Sequence, residues 1–267
     1  MHVQTTRVFS RWQAAGLHLT ASFTLAILAA LLLFGVWYPQ PYTQAAGADR
    51  LIMLLIGIDL VLGPLLTLIV YKHGKKGMAF DIAFIATVQV AALVYGMSVI
   101  AQSRPVFVVV SKDMTFLTTA IGVSDEDLAA AKEPAFGHRS WTGPLLVAAP
   151  EPDTAKGREE LMESGLAGKD INALPRFFAP FAKAGAGVIR NSLPFGALTA
   201  HASTRVPAES FAAERGLAVE DLYAQPLRGN DPEKDLTIVF DLRDQSVVGV
   251  IAVDPWPAIE AHKSQTN

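Results

Sequence analysis

The chain has 267 residues, no cysteine and a formal net charge of −3; 51% of its residues are hydrophobic and 18% charged, where soluble chains average about one quarter charged. Without cysteine, disulfide frameworks, thiolate metal sites and cysteine nucleophiles are excluded. The charge is divided: residues 1–101 hold six Lys/Arg against three Asp/Glu, a net of +3, and residues 102–267 hold sixteen against twenty-two, a net of −6. An acidic second part argues against nucleic acid as its partner, because phosphate binding needs a basic face.

The apolar excess lies in the first hundred residues, the mark of a membrane anchor joined to a further domain. A membrane helix needs about 20 apolar residues, and the segments 17–38, 51–71 and 80–100 each supply them. Arg7 and Arg11 precede the first, as in a signal peptide, but its apolar run is too long for a signal h-region. It also ends in Trp37 and Tyr38, an interfacial aromatic pair. Arg7, Arg11, Lys72, Lys75 and Lys76 lie on one side of these spans and only Arg50 on the other. The positive-inside rule then predicts a cytoplasmic tail over 1–16, a three-helix membrane region over 17–101 and an external, periplasmic domain over 102–267. Ser22, Ala26 and Ala30 in the first span, and Ala83, Thr87 and Ala91 in the third, form small-residue stripes that pack helices together or admit a foreign one.

The second span carries Asp59, eight residues from one end and twelve from the other. An ionised Asp at mid-bilayer costs about 2.5–3.5 kcal/mol on insertion scales, so it must be neutral, paired or functional. Level matching in an antiparallel third span offers Gln89 and Tyr95 as partners, and makes His18 a poor one. The Gly63–Pro64 pair predicts a bend, since proline removes a backbone donor and glycine eases the distortion.

Beyond residue 102, "RPVFVVV" and "GPLLVAA" read as strands. "SDEDLAAAKE" starts with the cap Ser124–Asp127. "DTAKGREELMESG" predicts a helix stopped by Gly165, and "PAESFAAERG" one that starts at Pro207 and stops at Gly216. "DLTIVFDL" and "SVVGVIAVD" predict a terminal hairpin, and "EAHKSQTN" a frayed tail. Strands and helices without a regular βα repeat predict an α+β domain around an antiparallel sheet. His138 and His201 are not at metal-ligand spacing, and there is no HExxH, G-x-S-x-G, Walker A or G-x-G-x-x-G motif. No catalytic residue, metal or cofactor is expected, and nothing in the residues sets an oligomeric state.

The order "HLT" in the first span, "WYPQPY", "GIDLVLGPLLTLIVYKHGKKG", "QVAALVYG" and "RPVFVV" resembles the type IV pilin accessory proteins of the TfpX/TfpZ type. "GPLLVA", "LPRFFAPF" and "DPWP" continue the likeness. The resemblance implies a non-enzymatic inner-membrane chaperone or stability factor for a cognate type IV pilin, in contact with membrane lipid. With that function, Asp59, the Gly63–Pro64 bend and a small-residue stripe, together with Gln89 and Tyr95 beside Asp59, are expected to face the pilin's membrane helix, and Arg104, Phe177 and Phe178 its head. The competing readings are a membrane-anchored hydrolase, which lacks a polar constellation, and a sensor or transport accessory protein with a functional intramembrane Asp59.

Overall fold

A computed structural model describes residues 10–73, 75–230 and 235–266; Arg7, the first nine residues of the expected tail and Asn267 lie outside them. Three helices are long and apolar enough to cross a membrane. The first, α1 (Arg11–Leu32), begins six residues before the apolar run. Ser10 starts it with a capping box, its hydroxyl accepting from the Gln13 amide while the Gln13 side chain accepts from the Ser10 N–H. A π-helical turn, Leu33–Trp37, ends it. The second helix, α2 (Ala48–Val70), runs through Pro64 without interruption, and the third is α3 (Met78–Ser103).

The chain divides into two packed units. One holds residues 1–35 and 48–101; the other holds 36–47 and 102–267. The loop between the first two helices therefore packs with the C-terminal unit, an allegiance no motif marks.

That unit contains, in order, β1 (Pro105–Val110), β2 (Thr115–Thr119), α4 (Asp125–Ala129), β3 (Leu145–Ala148), α5 (Ala155–Leu166), β4 (Ala179–Pro180), α6 (Phe181–Ile189), β5 (Leu193–Pro194), α7 (Phe195–Ala200), α8 (Arg205–Arg215), β6 (Leu222–Arg228), β7 (Leu236–Asp241), β8 (Ser246–Ile251) and α9 (Trp256–Thr266). Among the described residues the eight strands form one sheet, β4-β3-β1-β2-β6-β7-β8, with β5 on β6. The sheet is mixed and not antiparallel as expected, because β1 pairs parallel with β3 and β2 parallel with β6. Local patterning exposes hairpins such as β7–β8. A parallel partner, such as Leu227 for Thr115, comes from far along the chain.

Continuous apolar sequence in β1 matches burial on both faces: Val106 to Val110 have no exposed surface. The sheet carries two cores. Phe107, Val147, Leu128, Phe136 and Phe178 belong to one, and Phe195, Leu198, Phe211, Val239 and Ile251 to the other. The two halves of the sheet join through the β2–β6 ladder, which has only two residue pairs, Thr115–Leu227 and Phe116–Arg228. Pro226, which has no N–H to donate, ends that short ladder. The buried Gln225 side chain bridges the gap. Its amide donates to the Ser111 and Lys112 carbonyls at 3.0 and 3.3 Å, and its oxygen accepts from Thr115 Oγ1 at 2.7 Å.

Two element ends differ from expectation. Gly165 lies inside α5, whose turn falls at Gly168 in the left-handed region (φ +80°). The expected frayed tail is the body of α9. Trp256 anchors that helix by donating to Asp235 at 2.7 Å, and Ala258 is buried. The α8 stop is as expected, at Gly216 with φ +61°, although Pro207 is the third residue of that helix and not its first.

Candidate functional site

In the helical unit, polar and small residues recur every four positions along α2: Asp59, Gly63 and Thr67 share one face. Asp59 is the central residue of the 23-residue helix. From α3, the Gln89 amide nitrogen donates to Asp59 Oδ1 at 3.2 Å and approaches its backbone carbonyl at 3.5 Å. Gly63 makes this approach geometrically feasible, since a Cβ there would lie 2.1 Å from Gln89 Nε2. Pro64 follows Gly63 in the same turn. From α1, His18 Nδ1 lies 2.6 Å from Thr67 Oγ1. Of the two partners expected for Asp59, Gln89 reaches it and Tyr95 does not; Tyr95 is 73% exposed and lies about 120° around α3 from Gln89.

Two acceptors here lack donors. Gln89 Oε1 is buried without a partner. Asp59 Oδ2 has no hydrogen-bond partner among the described residues. His18, set aside as too far along α1, lines the same cavity as Asp59 and Gln89. Of the small-residue stripes, Ser22 is buried, whereas Ala83, Thr87 and Ala91 stand exposed.

In the C-terminal unit, Arg104 is an internal clamp and does not reach the surface. It is 4% exposed, donates from Nε to the Ser140 carbonyl at 3.1 Å, and stacks 3.7 Å above the Trp141 ring centroid. Trp37, from the 36–47 loop, packs 5.8 Å from Trp141, centroid to centroid. The far end of that loop is fastened by Asn230, whose backbone and side-chain N–H groups donate to the Ala45 and Ala46 carbonyls at 3.1 and 2.7 Å. Gly229 permits this contact: a Cβ there would lie 1.7 Å from the Ala45 oxygen. Trp141, Gly229 and Asn230 carry no motif, and sequence reasoning missed them.

Phe177 and Phe178 part company. Phe178 is buried, with edge contacts to Phe107 at 5.2 Å and Phe136 at 6.3 Å, so it packs into its own core. Phe177 is half-buried beneath the Arg176 guanidinium at 5.1 Å. Arg176 donates to Ser164 Oγ and lies 3.8 Å from Asp127. Burial alone would raise the Asp127 carboxyl pKa, but hydrogen bonds from Lys169 and Ser124 hold it below the ordinary value. His138 is exposed, and His201 contacts Ser203 at 3.0 Å. Among the described residues no group of three or more His, Asp or Glu could hold a metal ion.

The family model described as fimbrial assembly protein FimB matches residues 6–47, which span α1 and the Trp37 loop. The fimbrial assembly protein of serogroups C1 and C2 of Dichelobacter nodosus is 43% identical over 101 residues, covering 37% of this chain and 77% of that protein. Those of serogroups I and E1 are each 34% identical over 169 residues, 62% of this chain. The chain spans 65% of the length of these last two relatives. No solved structure matches the chain. The chain belongs to this family of fimbrial assembly proteins, a type IV pilus accessory family.

Proposed function

We propose that this protein is a non-enzymatic inner-membrane accessory of type IV pilus biogenesis that binds its cognate pilin before assembly and stabilises it there. The observation that carries the reading is the combination, in one fimbrial assembly chain, of three membrane-length apolar helices and a separately packed α+β unit. A subunit with an apolar helix and a globular head calls for both kinds of surface in a partner. Asp59, Gly63, Pro64 and Gln89 then serve the helix. Tyr95 and Phe177 are further contact residues, while Arg104 and Phe178 maintain the unit that meets the head. In this reading the α+β unit is periplasmic.

Deletion of the gene followed by immunoblotting for the pilin tests the function. Pilin abundance and surface pili should both fall, and unchanged levels of both overturn it. Alkaline phosphatase fused after Asn267 should be active, and inactivity overturns the orientation.

A further inference from the structure

Two cavities of about 390 and 150 Å3 run end to end along the helical unit and share His18, Ala21 and Ala86. Together they form a groove with α1 and α3 as walls and α2 as floor. Along α1 it extends from Ala14 to Leu25, about 16 Å at 1.5 Å per residue. Its walls carry small side chains at Ala14, Ala21 and Ala86, which let a further backbone come close. Its upper half holds Asp59 and Gln89.

The polar chemistry of that half is one-sided. Asp59 Oδ2 and the buried Gln89 Oε1 are acceptors without donors among the described residues, and Gln89 supplies the only N–H bonded to the Asp59 carboxyl there. In hydrocarbon an unsatisfied acceptor is costly. A lipid acyl chain would fill the volume and leave Asp59 Oδ2 unmet. A fourth helix with a donor at the depth of Asp59 fills the groove and meets Asp59 Oδ2, whereas Gln89 Oε1 is closed off beside Gly63.

We infer that the groove between α1 and α3 is the seat of one apolar membrane helix, which presents a hydroxyl, amide, amine or protonated carboxyl to Asp59. Resting on the function proposed above, that helix is the pilin's. The opposite faces of α1 and α3, including Ile27 and Val88, face lipid; these residues are 45% and 51% exposed.

The test places a photo-crosslinking phenylalanine at Leu25 or Val90, larger side chains that line the Asp59 half of the groove, and at Ile27 or Val88 as controls, in the full chain in its pilus-bearing host. Pilin adducts should be at least about five-fold more abundant from the first pair, given the opposed helix faces. Asp59→Leu should cut the Val90 adduct about ten-fold at unchanged protein level, and Asp59→Asn, which keeps an acceptor, by less than about three-fold, the range expected for a membrane hydrogen bond. Equal yields from both pairs, adducts with lipid alone, or an Asp59→Leu protein that crosslinks like the wild type each overturn the inference. Pilin loss on deletion without groove adducts overturns the groove alone. Unchanged pilin on deletion overturns the reading beneath it.

Discussion

Replacing Arg104 by alanine should destabilise the C-terminal unit without touching its surface. The guanidinium makes a charge-assisted bond to the Ser140 carbonyl and stacks on Trp141. Such a bond contributes about 1.5–3 kcal/mol, and a desolvated cation on tryptophan about 2 kcal/mol. Opposing these, burial and then the nearby Arg139 charge push the Arg104 pKa down, so holding the charge there has a cost. The net expectation for Arg104→Ala is a loss of about 2–4 kcal/mol. Arg104→Lys keeps the charge but loses the planar stack and the Nε donor, and should lose about 1–2 kcal/mol. The assay is urea unfolding of the full chain in detergent micelles, followed by tryptophan fluorescence, to which Trp37 and Trp141 both contribute. Lys112→Ala, at a 58% exposed side chain, should stay within about 0.5 kcal/mol of wild type. An Arg104→Ala protein equally close to wild type would refute the clamp.

Gly63→Ala places a methyl where Gln89 now lies, and Gln89, as a flexible side chain, gives way. The Asp59 bond then breaks at about 0.6–2 kcal/mol. Thermal unfolding in micelles should show that loss, and Gln89→Ala in the same background should add little to it; a large additional loss counts against the pairing. The pH dependence follows from Asp127 and Asp235. Burial would raise both carboxyls, but Lys169 and Ser124 at the first, and Arg228 and Trp256 at the second, hold them below the ordinary value. A depressed folded pKa gives stabilisation that is full above the unfolded value of about 3.9 and is lost as pH falls through the folded value. Near-UV circular dichroism should record unfolding below about pH 4, with a shallower acid limb in Asp235→Asn. Stability that rises on acidification would contradict the assignment.

Much of the fold was legible where the physics is local. The three spans follow from the length of apolar runs, the helix at 205–215 from Gly216, and the last hairpin from alternating apolar residues around a short polar turn. Strand β2, "TFLTT", and strand β6, with Pro226 inside it, were not legible. Each depends on partners distant in sequence, and proline argues against a strand when read alone. Gln89 was found as the partner of Asp59 because depth in antiparallel helices can be counted. Tyr95 satisfied the same count and failed on rotation about α3, which a level count does not contain.

What the sequence determined by itself was the partition: where apolar helices form, which loops carry positive charge, and that one acid sits midway along the second helix. These are properties of single segments and of their composition. Only the tertiary structure decided that Arg104 and Phe178 turn inward and that residues 36–47 pack with the C-terminal unit. It also decided that Gly63 is small because Gln89 lies against it, and that Asp59 opens onto a groove shared with His18. Each of these depends on which surfaces meet, and that is set by packing between residues far apart in the chain.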